Sequence, residues 1–270
     1  MKECFLSEKE KIYYKKNDFK PGSQTIVFVH GLSGSSSAWN FYEKALKKTK
    51  NIISIDLRGH GKSFRPRNFS DYSIKNSCED LYNIIRKEKI SDFIIISHSF
   101  GNLITFEFMK NYNNLVKGLI LVSPDASPGK RISSYLISPF LKSIGLLLHF
   151  PIYKKKGGHI DYKRFIGTGD WNIRRSLADI NNTGIRSYVF STINAQSFNA
   201  KNSLNKINIP TMIIHGKKDT IFPISRGLMV HNGIKNSKFK IFEKADHIIV
   251  LNERKKLLEE IRNFIKLINS

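Results

Sequence analysis

The chain has 270 residues and is strongly basic, with 45 Lys and Arg against 22 Asp and Glu and a formal net charge of +23. Hydrophobic residues make up 40% of the sequence, which excludes intrinsic disorder. A chain of this length can bury a sizeable core as a single domain. The cations are spread along the chain without a nucleic-acid motif, so we expect no nucleic-acid binding and only weak attraction to anionic surfaces. The charged N-terminal segment has no secretory pattern, which predicts a cytoplasmic protein.

Short apolar runs alternate with segments of helical period along most of the chain. At the N-terminus, residues 4–6 and 11–14 have the pattern of a hairpin. Six later runs predict strands covered on both faces, at residues 25–30, 52–56, 93–97, 116–123, 211–215 and 238–243. Apolar residues at helical spacing predict helices at 74–85 and 257–268, and residues 102–110 are also expected to be helical. This alternation is typical of a mostly parallel central sheet flanked by helices.

Residues 124–209 break that alternation and lie between two of the predicted strands. We therefore predict an α/β core formed by residues 1–123 and 210–270, with residues 124–209 as an inserted helical cap. Within the cap, residues 132–153 are rich in Leu, Ile, Phe and Tyr. Pro139, Lys142 and Pro151 argue against a membrane span there. The pattern therefore favours a lid of amphipathic helices that covers a substrate cleft.

The segment Ser97-His98-Ser99-Phe100-Gly101 follows a predicted strand and precedes a predicted helix. A serine on such a sharp turn has its hydroxyl exposed above the sheet. The segment resembles the nucleophile elbow of the α/β-hydrolase family, usually Gly-x-Ser-x-Gly, although Ser97 replaces the first glycine. The resemblance implies the α/β-hydrolase fold, a Ser99 nucleophile, and no metal or organic cofactor.

Upstream, the predicted strand at 25–30 runs into His30-Gly31-Leu32. Backbone N–H groups in a glycine-containing turn can stabilise the oxyanion of a tetrahedral intermediate. The resemblance assigns this oxyanion hole to the N–H groups of Leu32 and Phe100.

Residues 56–63 read Asp-Leu-Arg-Gly-His-Gly-Lys-Ser and end like a phosphate-binding loop. That motif requires a glycine where this chain has Asp56, so phosphate binding is rejected. The octapeptide instead resembles a loop of many esterase-like α/β-hydrolases, which implies a structural role beside the active site.

A serine nucleophile needs a base and an orienting acid, which follow in the order Ser, Asp or Glu, His in this fold. The resemblance makes His247 the base and Asp219 the acid, with Asp125 in reserve. Asp246 adjoins the base in sequence and is expected to be structural. Alternation across the elbow predicts that the His98 side chain points away from Ser99.

The catalytic set Ser99, Asp219 and His247 predicts a serine hydrolase of the esterase-like branch. The leading hypothesis is a carboxylesterase that cleaves short- to medium-chain esters with an apolar acyl group through an acyl-enzyme. A lipase of the monoacylglycerol type, a carbon–carbon bond hydrolase and a peptidase share the fold and stay open. A cofactor-free lyase and a non-catalytic binding module are further alternatives.

Overall fold

The computed structural model describes residues 1–7, 11–129 and 157–269. Its eight strands form one sheet in the order β1-β2-β4-β3-β5-β6-β7-β8. The strands are β1 Lys2–Phe5, β2 Tyr13–Lys16, β3 Thr25–Val29, β4 Asn51–Ile55, β5 Phe93–His98, β6 Val116–Val122, β7 Thr211–Gly216 and β8 Ser237–Phe242. All pairings from β4 to β8 are parallel, and β1 and β2 form an antiparallel edge. The predicted mostly parallel sheet is confirmed.

Helices cover both faces of this sheet. They are α1 Asn40–Leu46, α2 Ile74–Lys87, α3 Phe100–Tyr112, α4 Ile173–Thr183, α5 Ile185–Ser197, α6 Ile224–Gly233, α7 Ile249–Asn252 and α8 Arg254–Asn269. The three predicted helices are α2, α3 and α8, and each extends beyond its predicted bounds. No helix of the described ranges is long and apolar enough to cross a membrane.

The central strands are mostly apolar because both of their faces are buried. In β3, Val27 and Val29 pack in one hydrophobic cluster with residues of α2 and α3. Ile26 and Phe28 point to the other face and pack with residues of α1 and α8. Successive side chains of a strand alternate between faces, so two layers of helices require a continuous apolar run.

The last strand departs from the prediction of two covered faces. In β8, Lys238, Lys240 and Ile241 are exposed and Phe242 is buried. Among the described strands, β8 pairs with β7 alone and lies at the edge of the sheet, where side chains on one face stay in water. The alternation of lysine with apolar residues at 238–241 is the sequence signal of this edge position.

The N-terminal hairpin is confirmed, with strands shifted by about two residues from the predicted ranges. β1 pairs with β2 so that Cys4 lies opposite Tyr14, and β2 joins the sheet through β4. Cys4 and Cys78 are both free thiols.

The described parts of the predicted cap are residues 124–129 and 157–209. Residues 157–209 contain helices α4 and α5 and two short 3-10 turns, Tyr162–Phe165 and Lys201–Lys206. The predicted amphipathic lid at residues 132–153 lies outside the described residues. The division into a core and a cap therefore stays a prediction.

The topology brings the predicted site residues to one edge of the sheet. β3 lies between β4 and β5, so the order in which strands are added to the sheet reverses there. Ligands of open α/β sheets bind beyond the carboxyl ends of the strands at such a reversal. Leu32, Ser99, Asp219 and His247 follow β3, β5, β7 and β8, respectively.

Candidate active site

Ser99 occupies a tight turn between β5 and α3. Its backbone has φ 51° and ψ −116°, a conformation that non-glycine residues rarely adopt. The Ser99 N–H donates to the Val122 carbonyl at 3.0 Å, which fixes the turn to β6. A Cβ on Gly101 would lie 2.7 Å from the carbonyl oxygens of Val29 and His30, so the turn requires glycine there.

The structure accommodates serine at the position where the elbow motif has its first glycine. Ser97 is fully buried, and its Oγ donates to Asn102 Oδ1 at 2.7 Å. Asn102 in turn donates through Nδ2 to the Val122 carbonyl at 2.9 Å. The departure from the motif therefore adds a hydrogen-bonded brace across the turn and leaves no unpaired hydroxyl.

Ser99, His247 and Asp219 form a continuous hydrogen-bonded chain. His247 Nδ1 lies 2.8 Å from Asp219 Oδ2, and His247 Nε2 lies 2.8 Å from Ser99 Oγ. With the Nδ1 proton donated to the carboxylate, Nε2 is left to accept the serine proton. All three residues are buried, and Ser99 and His247 line one cavity. The arrangement has the geometry needed for general-base activation of a serine.

Asp219 is held as a carboxylate. Burial alone would raise its pKa, but the hydrogen bond from His247 holds the pKa below its usual value, helped by the Phe222 N–H. Asp219 Oδ1 accepts from the N–H groups of Ile221 at 3.0 Å and Phe222 at 2.7 Å. An ionised Asp219 can fix the His247 tautomer and stabilise an imidazolium.

The reserve acid, Asp125, lies in a different environment. Its Oδ1 accepts from the Ser127 N–H at 2.8 Å, and its Oδ2 is 3.6 Å from Arg226 Nε. Burial raises the pKa of Asp125, against the effect of the Ser127 N–H and Arg226. The structure brings Asp219, and not Asp125, into hydrogen-bond contact with His247.

His98 lies beside the site, although alternation across the elbow predicts that it points away from Ser99. Its ring centroid is 5.1 Å from that of His247, and its Nε2 donates to the His247 carbonyl at 2.9 Å. Burial lowers the pKa of His98 to about 3, with a further contribution from His247, so the ring is neutral. His98 thus supports the main chain of His247.

The N–H groups of Leu32 and Phe100 border the same cavity. Within the described part of the chain neither N–H has an acceptor, as a role in binding an oxyanion requires. His30 holds the loop: its Nδ1 donates to the Gly31 carbonyl at 2.7 Å, and its Nε2 accepts from the Leu57 N–H at 3.0 Å.

The loop at residues 56–63 supports the segments beside this site through hydrogen bonds. Asp56 is fully buried and accepts from the N–H groups of Ser36 at 2.7 Å and Lys62 at 2.8 Å. His159, from the predicted cap, donates to Asp56 Oδ2 at 2.8 Å, a contact for which the sequence carries no signal. The structural role expected for this loop agrees with these contacts.

The cavity above Ser99 has a volume of about 430 Å³, within the usual range for small-molecule sites. Its wall combines apolar side chains with a few polar ones. The apolar members include Leu32, Leu103, Ile180, Phe222, Ile248 and Leu251. No group of three or more His, Cys, Asp or Glu within the described ranges could hold a metal ion.

Asp179, in the cavity wall, has a strongly raised pKa. It accepts from Tyr162 Oη at 2.9 Å and lies 3.6 Å from Arg175 Nη1. Burial raises its pKa to about 6, although the Tyr162 hydrogen bond and Arg175 act in the opposite direction. Between its unfolded value near 4 and this folded value, the folded state binds more protons than the unfolded state.

The stability that Asp179 contributes should therefore be lost as pH rises through this window. Relative to Asp179→Asn, we expect the free energy of unfolding of the parent to fall by about 2–3 kcal/mol between roughly pH 4 and pH 7. Urea unfolding of both proteins across that range measures the difference. A difference that does not change with pH would contradict the assignment.

Comparison with known proteins gives a family match over most of the chain. A family model described as the alpha/beta hydrolase fold matches residues 24–253. A proline iminopeptidase of Saccharolobus solfataricus is 25% identical over 280 residues, covering 94% of this chain and 88% of that protein. A monoacylglycerol lipase of Bos taurus is 24% identical over 266 residues, covering 93% and 78%, respectively.

Among solved structures, the chain is similar to an esterase from Exiguobacterium antarcticum. The TM-score is 0.74 at 21% sequence identity, and the match covers 97% of this chain and 96% of that one. A likeness at this level of identity concerns the fold, and the named activities of these proteins differ among themselves.

Proposed function

Because this chain belongs to the α/β-hydrolase family, as the match over residues 24–253 shows, we propose that it is a serine hydrolase with Ser99 as its nucleophile. The predicted α/β-hydrolase fold is confirmed by that match and by the eight-stranded, mostly parallel sheet. One observation carries the proposal: Ser99 Oγ and Asp219 Oδ2 each lie 2.8 Å from opposite nitrogens of the same His247 ring.

The mechanism follows from these positions. His247 Nε2 accepts the Ser99 proton as Oγ attacks the substrate carbonyl, and Asp219 stabilises the imidazolium that forms. The developing oxyanion accepts from the Leu32 and Phe100 N–H groups. His247 then returns the proton to the leaving group, which leaves an acyl-enzyme on Ser99. A water molecule, activated by His247, hydrolyses this ester and releases the acid.

Within this class, we propose a carboxylesterase for small esters with a short- to medium-chain apolar acyl group. The support is the cavity of about 430 Å³ with Leu103, Ile180 and Leu251 in its wall, because an apolar wall binds an apolar acyl chain through the hydrophobic effect. A monoacylglycerol lipase is the second candidate, favoured by the similarity to the Bos taurus enzyme. The net charge of +23 supports weak attraction to anionic surfaces.

A panel of p-nitrophenyl esters from acetate to palmitate tests the substrate class. We expect kcat/KM to peak at a short or medium acyl chain, because a cavity of about 430 Å³, near the lower end of the range for small-molecule sites, is filled by a small acyl group. An optimum at the longest chains would favour the lipase. Hydrolysis of a prolyl p-nitroanilide without turnover of any ester would favour a peptidase and contradict the esterase proposal.

A further inference from the structure

Asp170 lies in the predicted cap, just before α4, and its side chain reaches the loops that carry the proposed acid and base. Its Oδ1 accepts from the backbone N–H of His247 at 2.8 Å. Its Oδ2 accepts from the backbone N–H of Thr220 at 2.9 Å and from Thr220 Oγ1 at 2.7 Å. Asp170 is only 8% exposed. One carboxylate therefore joins the residue after Asp219 to His247 itself.

The two loops joined by Asp170 need such a connection because the Asp219–His247 hydrogen bond spans them. At their bases, the Lys218 N–H donates to the Ala245 carbonyl at 2.9 Å. Beyond that point, Asp170 fixes the His247 N–H, and His98 fixes the His247 carbonyl from the other side. A displacement of about 1 Å in a catalytic group can lower turnover a hundredfold, so these contacts lie where small shifts matter.

The chemistry of the contact selects a carboxylate. Three donors converge on Asp170, and all of them are neutral: two backbone N–H groups and one hydroxyl. A carboxylate offers two acceptor oxygens, whereas an asparagine offers one oxygen and turns an NH₂ group toward the remaining donors. Asparagine at position 170 would therefore leave at least one donor facing another donor.

The backbone around Asp170 is itself fixed. Arg175 donates through Nη2 to the Asp170 carbonyl at 2.7 Å. Asn252 accepts from the Gly167 N–H at 2.8 Å and donates to the Thr168 carbonyl at 2.9 Å. The segment before Asp170 is thus held against the chain that follows His247, and the carboxylate is presented by a supported backbone.

We propose that Asp170 is a positioning residue that holds His247 and the Asp219 loop in the geometry needed for proton transfer. In this role, a residue of the predicted cap segment contributes to the geometry of the active site. This inference rests on the proposed serine hydrolase function, and it adds a residue that neither the nucleophile nor the triad motifs identify.

The test compares Asp170→Asn with Asp161→Asn. Asp161 is an exposed residue of the same segment whose carboxylate also accepts from a backbone N–H, that of Lys163. For a p-nitrophenyl ester, we expect Asp170→Asn to lower kcat by about tenfold to a hundredfold with KM changed by less than about threefold. The rate of reaction with a fluorophosphonate should fall in parallel. Asp161→Asn should stay within about twofold of the parent on each measure.

A spectroscopic readout separates positioning from loss of fold. The downfield proton resonance of the Asp219–His247 hydrogen bond should shift or broaden in Asp170→Asn and stay unchanged in Asp161→Asn. If Asp170→Asn proves unfolded by thermal melting, Thr220→Val removes one of the three donors more gently and should lower kcat in the same direction. A folded Asp170→Asn with the parent kcat, fluorophosphonate rate and proton resonance would overturn the proposal.

Failure of the proposed function gives a different result. In that case the parent protein itself turns over no ester and does not react with the fluorophosphonate. The proton resonance still reports on Asp170 in that event, since it requires only the Asp219–His247 hydrogen bond. An unchanged resonance in Asp170→Asn would then overturn the positioning role separately.

Discussion

Replacing Ser99 with alanine should lower ester turnover by about 10⁶-fold, to the level that binding and oxyanion stabilisation alone can support. Ser99 Oγ is the atom that faces His247 Nε2 at 2.8 Å, so its removal eliminates the acyl-enzyme route. The loss is measured as turnover of the p-nitrophenyl esters in the panel of acyl lengths.

Ser203→Ala is the matched control. Ser203 donates to the Ala200 carbonyl in the 3-10 turn at Lys201–Lys206 and is not part of the cavity wall. We expect its turnover to stay within about twofold of the parent. Ser99→Ala with a similar, small effect would show that another group performs the reaction.

Replacing Asp219 with alanine should lower kcat by about 10⁴-fold, because His247 then loses the group that fixes its tautomer and stabilises its charge. The measurement is kcat for the best ester of the panel. The carboxylate that the structure places 2.8 Å from His247 Nδ1 is that of Asp219, and the acidic side chain that follows β6, Asp125, contacts Ser127 and Arg226 instead.

Asp125→Ala provides the comparison for Asp219→Ala. It removes a buried carboxylate of similar accessibility, and we expect a loss of kcat below about tenfold. If Asp125→Ala reduced kcat as strongly as Asp219→Ala, the assignment of the acid would be wrong. Thermal melting of both variants separates this result from a loss of fold.

The sequence predicts much of this fold because its signals are local. Continuous apolar runs mark β3 to β7, and helical spacing marks α2 and α8. The convergence of Ser99, Asp219 and His247 also follows from chain order, since residues after parallel strands meet at one edge of the sheet. Each motif places its residue directly after a strand, so the three side chains come within reach of one another.

The remaining contacts depend on packing between distant segments. Asp170 and His247 are 77 residues apart, and His159 and Asp56 are 103 apart. No periodicity or motif in the predicted cap indicates where these side chains lie. The position of His98 beside His247 also depends on tertiary packing, because His98 contacts the carbonyl of a residue 149 positions later in the chain.

The most direct test of the Ser99 assignment is labelling of the native protein with a fluorophosphonate, followed by intact-mass measurement and peptide mapping. We expect one adduct per chain, located on Ser99, and none on Ser99→Ala, while Ser203→Ala is labelled like the parent. An unlabelled native protein, under conditions that modify a control esterase, or an adduct on any other serine would contradict the central claim.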